Sequence, residues 1–281
     1  MVGIVGHEKI IEDLKRLAES GNLSHGYIFF GPAMVGKRSV ALAFANFLER
    51  GERLAEPKFL TDGLVIEPGE GGTIGIDAMR QLKYFLWQKP NASRRRTAII
   101  AEAQTMTAEA QNAILKIAEE PPPSTLLILI TSDLDGLLPT IYSRLQKIYF
   151  SDVPERLIAE WVAKNFPEER SPEAIVERSF GKPGLARRLI EDGEFNESLK
   201  TAESLLKLQG DRRRDFIKNL LKSDDFSMNK LLDAMIVYVS SAPLRDKGKT
   251  DFWHKLLELR HDSAYFNLNP RIQLEAIFYT T

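Results

Sequence analysis

Hydrophobic residues in the first 150 positions follow two alternating patterns, short continuous runs and longer segments with helical spacing. The runs contain β-branched or aromatic residues and mostly have Gly, Pro or Ser near their ends, as buried strands do. Strands that alternate with amphipathic helices of this length predict a parallel sheet with helices on both faces. The predicted strands are residues 27–30, 64–66, 98–100, 126–130 and 148–150, and the predicted helices are residues 8–19, 39–50, 77–88 and 107–119.

Only helical patterns follow residue 151. Three short ones begin or end at Pro or Gly, which are common at helix boundaries. A polar break at residues 192–196 separates them from five longer patterns that reach residue 279. The sequence therefore predicts an α/β domain at residues 1–150, a small helical domain at residues 151–193 and a larger helical domain at residues 194–281.

Composition narrows the class of protein. The 38 Lys+Arg residues nearly balance the 39 Asp+Glu residues, which argues against a strongly basic, stand-alone nucleic-acid binder. The chain has no cysteine, so disulfides, cysteine-ligated zinc and a cysteine nucleophile are excluded. No apolar run approaches the length of about 18 residues that a membrane span needs, and no leader pattern is seen at the N-terminus. We therefore expect a cytoplasmic protein without membrane association and without zinc.

A phosphate-binding loop is predicted between the first strand and the helix that follows it. Gly31, Gly36 and Lys37 fit the spacing GxxxxGK. Glycines let successive backbone N–H groups face an anion, while the lysine and the positive helix N-terminus attract phosphate. The alternative interpretation is a glycine-rich turn that holds no ligand.

The residues that would hold magnesium at this loop are missing. Arg38 stands where a hydroxyl is needed, and Ser39 lies about 100° further around the helix. The strand at residues 98–100 should be followed by Asp-Glu, but Ala101 precedes Glu102, which is then a structural remnant. We therefore expect no required cofactor, at most weak binding of ATP through Lys37, and no magnesium-dependent hydrolysis.

Two longer motifs carry a family resemblance. Residues 112–122 (NAILKIAEEPP) closely resemble the NALLKxLEEPP segment of clamp-loader subunits from replicative DNA polymerases. Residues 138–146 (LPTIYSRLQ) resemble the LPTIxSRCQ element of that family, with Leu145 at the usual Cys position. Residues 24–32 and 267–275 are similar to the HAYLFxGP and NxNxxLxLE segments of the same proteins. The resemblance therefore covers nearly the whole chain.

The resemblance implies an AAA+ module with a five-stranded parallel sheet, a helical lid and a helical collar that joins five subunits into a ring. The bacterial gamma/delta-prime family contains hydrolysing motor subunits and a stator, delta-prime, whose phosphate loop is degenerate. Arg38, Ala101 and Gly184, which occupies the position of the lid arginine in the motor subunits, favour the delta-prime type. One alternative is a gamma-like ATPase with an atypical phosphate loop. Another is a paralogue that retains the fold in a non-replicative complex.

The resemblance also implies a site residue and partners. The arginine of the family's Ser-Arg-Cys motif acts in trans on the nucleotide of a neighbouring subunit, which implies this role for Arg144 beside Ser143; the alternative is a structural arginine. The implied partners are clamp-loader subunits of the gamma/tau and delta types, the sliding clamp and primer-template DNA. Arg94, Arg95 and Arg96 are candidate DNA contacts because cations neutralise phosphates, although short basic runs are also common on solvated surfaces.

Overall fold

The computed structural model describes residues 4–51, 60–69, 71–223, 226–240, 247–265 and 269–279. Asn267 and Leu268, which belong to the predicted C-terminal motif, lie outside the described residues. The chain divides into two compact units. The first contains the described residues up to Pro172 together with Phe180–Gly184, and the second contains Glu173–Ser179 and the described residues from Leu185 onward.

The first unit is built on a five-stranded parallel sheet with the strand order β2-β3-β4-β1-β5, which confirms the predicted α/β fold. The strands are β1 (Gly26–Phe30), β2 (Gly63–Ile66), β3 (Arg96–Ile100), β4 (Thr125–Thr131) and β5 (Gln146–Tyr149). The helices of this unit are α1 (Glu8–Glu19), α2 (Lys37–Arg50), α3 (Ile76–Leu86), α4 (Ala108–Glu119), α5 (Pro139–Tyr142) and α6 (Glu155–Asn165).

Helices cover both faces of this sheet. Side chains of neighbouring strand residues point to opposite faces, so Ile28 packs in one apolar layer and Phe29 in the other. Helices α3 and α4 contribute to the first layer, and α1 and α2 contribute to the second. All seven residues of the central strand β4 are buried, which explains its continuous apolar run in the sequence.

The C-terminal part of the described chain is helical. Its elements are α7 (Pro172–Ser179), α8 (Pro183–Glu191), α9 (Gly193–Lys207), α10 (Gly210–Leu220), α11 (Met228–Ser240), α12 (Lys247–Tyr265) and α13 (Pro270–Tyr279). Residues 192–196, predicted as a polar break, are instead the cap and first turn of α9. The Asp192 carboxylate caps that helix by accepting a hydrogen bond of 2.9 Å from the Phe195 N–H. Within the described ranges, no helix has the length and apolar character needed to cross a bilayer.

Candidate functional site

The predicted phosphate loop leaves β1 at the carboxyl edge of the sheet and enters α2. Gly31 has φ of 133°, and a Cβ atom built there would lie 2.1 Å from the Phe150 carbonyl oxygen. Gly36 has φ of 110° and is the N-cap residue of α2. Both glycines are therefore needed for the backbone conformation, and Gly31 is also needed for the close approach of the chain segment after β5.

Lys37 is hydrogen-bonded to the backbone of its own loop. Its side chain is buried, and Nζ donates to the carbonyl oxygens of Gly31 at 2.7 Å and Pro32 at 2.5 Å. Burial lowers the pKa of Lys37 to about 8, because the charged form loses hydration. The ammonium group that would bind phosphate therefore already has carbonyl oxygens as partners.

Replacing Lys37 by methionine is expected to remove part of the pH dependence of folding stability. The pKa of Lys37 falls from 10.5 to about 8 on folding, so between these values the unfolded state binds more protons and stability rises with pH. From pH 7.5 to pH 10, the wild type should gain about 2 kcal/mol relative to Lys37→Met. Urea unfolding of both proteins at the two pH values measures this difference. Equal changes in the two proteins would contradict it.

Arg38 occupies the position of the magnesium-ligating hydroxyl and forms an ion pair with Glu67, which follows β2. Ser39 is exposed on α2. A guanidinium at this position brings positive charge where a divalent cation would have to bind, and its partner carboxylate is already neutralised. This arrangement does not fit a magnesium ion.

At the end of β3, the alanine at position 101 supplies no metal ligand. Ala101 is buried, and its N–H donates to the Ile66 carbonyl at 2.9 Å. Glu102 is exposed with φ of 52°, and its carbonyl accepts hydrogen bonds from the backbone and hydroxyl of Thr105. Across the part of the chain that the structure describes, no group of three or more His, Asp or Glu side chains could hold a metal ion.

The position of the lid arginine lies directly against the phosphate loop. The Gly184 N–H donates to the Met34 carbonyl at 2.9 Å, and a Cβ atom at position 184 would lie 2.9 Å from that same oxygen. A side chain therefore cannot be placed at this position unless the loop moves. The close contact with the Met34 backbone therefore explains why position 184 is a glycine.

Two further contacts shape this edge of the sheet, and the sequence pattern did not identify them. The His7 ring donates through Nε2 to the Val35 carbonyl at 3.0 Å and packs edge-on against Phe150. Thr131, which ends β4, forms a hydrogen bond of 2.9 Å with the Gln104 side chain. Each pair is separated by more than 25 positions, so local spacing carries no signal for it.

Arg144 lies near the amino ends of the parallel strands, whereas the phosphate loop lies at their carboxyl ends. It stands two residues before β5, whose first residue, Gln146, pairs with Tyr27 of β1, whereas Gly31 follows the last residue of β1. At about 3.3 Å per residue, the length of the strand separates Arg144 from Gly31 by roughly 20 Å. This distance exceeds the reach of an arginine side chain, so Arg144 cannot act on a phosphate held at the loop of its own chain.

The guanidinium of Arg144 is held by local contacts and remains partly exposed. Nη1 donates to the Thr140 carbonyl at 2.8 Å, and Nη2 lies 2.7 Å from Oε1 of Glu119. The Ser143 hydroxyl also donates to the Thr140 carbonyl, at 3.1 Å. The neighbouring Leu145 is buried in the core, which accounts for an apolar residue at the position where the resembled family has cysteine.

The structure corrects the prediction of a DNA contact for Arg96. Its side chain is buried, Nε and Nη2 donate to the Lys89 carbonyl at 3.1 and 3.0 Å, and the guanidinium packs on the Phe85 ring. These contacts hold the segment before β3 in place. Arg94 is exposed and Arg95 is half-buried, so these two residues remain the candidates for contact with phosphates.

Residues 6–154 match the family described as "DNA polymerase III, delta subunit". The chain is 32% identical over 201 residues to DNA polymerase III subunit delta' of Pseudomonas aeruginosa, which covers 66% of this chain and 61% of that protein. It is 31% identical over 179 residues to DNA polymerase III subunit gamma/tau of Mycobacterium tuberculosis, which covers 59% of this chain and 31% of that protein. The chain thus spans less than two thirds of the length of either curated relative.

A solved structure supports the fold independently. The DNA polymerase III gamma subunit-related protein of Thermotoga maritima superposes with a TM-score of 0.62 at 24% identity, over 96% of this chain and 97% of that chain. The predicted fold, a five-stranded parallel sheet flanked by helices, is therefore confirmed. Because the matched region covers just over half of the 281 residues, the chain belongs to the DNA polymerase III delta subunit family, and its resemblance to bacterial clamp-loader subunits of the delta-prime type is confirmed.

Proposed function

We propose that this protein is a non-hydrolysing, stator-like subunit of the DNA polymerase III clamp loader and supplies Arg144 in trans to a neighbouring ATPase subunit. The observation that carries this proposal is the contrast between the two ends of the parallel strands. At the carboxyl ends, Lys37 is hydrogen-bonded and Arg38 is ion-paired within the chain. At the amino ends, Arg144 is partly exposed, and its side chain cannot reach the phosphate loop of its own chain.

The chemistry of phosphoryl transfer supports an inactive site in this chain. Magnesium normally bridges the β- and γ-oxygens of the nucleotide and neutralises the charge that develops on them. Here Arg38 and Ala101 replace both protein groups that would anchor the ion, and Gly184 replaces the lid cation. Three separate contributions to catalysis are absent from one site.

The chemistry of arginine supports the role in trans. A guanidinium stays charged at working pH and offers several N–H donors in a planar fork that matches phosphate oxygens. The Arg144 side chain is 37% exposed, so it is accessible to a neighbouring subunit. A subunit that cannot hydrolyse ATP itself can in this way complete the site of its neighbour.

Assembly into the ring is proposed to depend on the collar, residues 194–281, with residues 151–193 as the lid. The proposed partners are clamp-loader subunits of the gamma/tau and delta types, the sliding clamp and primer-template DNA. The DNA contacts are assigned to Arg94 and Arg95, which are accessible on the segment before β3. The alternative function is that of a gamma-like ATPase, and identities of 31% to gamma/tau and 32% to delta' do not favour either one.

The isolated protein is expected to show no ATP hydrolysis above background, because Arg38 and Ala101 replace the two groups that would anchor magnesium. Lys37→Ala should have the same background rate as the wild type. Arg38→Thr should not restore activity, because Ala101 still lacks the second carboxylate. Release of inorganic phosphate from the three purified proteins is the measurement. A turnover of about 1 per second that Lys37→Ala abolishes would instead establish the gamma-like ATPase.

A further inference from the structure

The ion pair between Glu119 and Arg144 joins two segments that are separated along the chain. Oε1 of Glu119, the last residue of α4, lies 2.7 Å from Nη2 of Arg144 in the segment between α5 and β5. The two side chains are 48% and 37% exposed. Nη1 of Arg144 donates to the Thr140 carbonyl, so two nitrogen atoms of the guanidinium have partners on different elements.

A carboxylate at this place is unfavourable for the helix itself. The C-terminal end of a helix carries partial negative charge, which disfavours acidic residues in the last turn. Glu119 ends α4 at that position. A half-exposed ion pair contributes little to folding stability. A gain in stability from the pairing with Arg144 therefore does not explain why a glutamate occupies this position.

The Glu119 contact leaves part of the guanidinium available. Arginine carries five N–H donors, one of them on Nε. Nε of Arg144 has no hydrogen-bond partner among the described residues, whereas Nη1 donates to Thr140 and Ser143 and Nη2 forms the ion pair with Glu119. The edge that contains Nε can therefore approach an external phosphate while the contacts to Glu119 and Thr140 persist.

We propose that Glu119 is a positioning residue for Arg144, and this inference rests on the proposed trans role of Arg144. The carboxylate holds one nitrogen of the guanidinium against α4. The side chain is thereby kept in one orientation before the neighbouring subunit binds. Loss of this orientation should slow the reaction, because small displacements of a catalytic group have large effects on rate.

The experiment compares reconstituted clamp loaders that contain Glu119→Ala, Glu119→Gln, Arg144→Ala or the double variant Glu119→Ala/Arg144→Ala. DNA-stimulated ATP turnover is measured as kcat and KM, together with ring assembly. Glu119→Ala should lower kcat at the bordering site by about tenfold with KM nearly unchanged. Glu119→Gln should lower it by a similar factor, because the amide keeps the shape of the side chain but lacks the charge that pairs with Arg144. The double variant should be no slower than Arg144→Ala.

Glu120→Ala is the matched control. Glu120 is an adjacent exposed glutamate at the same helix end, and it forms no ion pair within the described ranges. It should therefore retain wild-type turnover. If Glu119→Ala lowers ring assembly, the isosteric Glu119→Gln is used instead, and its effect on kcat alone tests whether Glu119 positions Arg144.

The outcomes separate this inference from the proposed function. Wild-type turnover with Arg144→Ala would reject the trans role itself. A slow Arg144→Ala variant beside fully active Glu119→Ala and Glu119→Gln variants would reject the positioning role and leave the trans role in place. Faster turnover with Glu119→Ala would show that Glu119 restrains Arg144, and additive losses in the double variant would show that Glu119 acts independently of Arg144. Either result overturns the proposal.

Discussion

Arg144→Ala is expected to slow ATP hydrolysis at the one site that borders this subunit by about 10³- to 10⁵-fold, the range found for arginines supplied across an interface. The physical reason is the loss of a fixed positive charge next to the γ-phosphate as negative charge develops there. Turnover of the whole ring should fall less, since its other sites are unchanged. The measurement is DNA-stimulated turnover and clamp loading by reconstituted complexes.

Two variants make this result specific. Arg144→Lys should recover little activity, because a point charge on a flexible stem does not reproduce the planar fork of the guanidinium. Arg156→Ala removes another exposed arginine of the same unit, which pairs with Glu160 on α6, and should behave as wild type. Unchanged turnover and clamp loading with Arg144→Ala would mean that Arg144 is a structural arginine.

Gly31→Ala is expected to destabilise the first unit by about 4 kcal/mol, combining the strain of a positive φ with overpacking. The new methyl group would lie 2.1 Å from the Phe150 carbonyl oxygen, which belongs to the backbone and cannot rotate away. Urea or thermal unfolding of the purified variant measures the loss.

Gly51→Ala is the matched control for this substitution. Gly51 also has a positive φ, of 66°, but a Cβ atom there would have no neighbour within 4 Å among the residues that the structure describes. It should therefore cost only about 1 kcal/mol, the strain of the left-handed conformation. Equal destabilisation by the two substitutions would show that the approach of Phe150 is not the cause.

The buried strands and the phosphate loop could be predicted because their signals are local. The central strand β4 lies between two helical layers, so the five residues between its terminal threonines are all apolar and the run is visible without any tertiary information. The loop requires glycines at a fixed spacing between a strand and a helix, and that order is also local. The absence of magnesium ligands at positions 38 and 101 follows directly from the residue types.

Element boundaries were harder to predict, and α9 shows why. Its first turn contains a single apolar residue, Phe195, so the hydrophobic periodicity becomes visible only later in the helix. The helix starts at Gly193 because the Asp192 carboxylate binds a backbone N–H, and such a cap depends on a side-chain conformation that hydrophobic periodicity does not register.

The sequence by itself determined the α/β class, the family resemblance and the loss of the metal-binding residue types, because each depends on residue identity or short-range spacing. Only the tertiary structure decided what the charged residues contact. Arg96 is buried in the first unit, although Arg94 in the same triplet is exposed. Lys37 is hydrogen-bonded to its own loop, and Glu119 forms an ion pair with Arg144. The physical reason is that the partners of a charged side chain depend on which segments, distant in the sequence, the folded sheet places next to each other. The order of residues along the chain does not give the spatial distances between those segments.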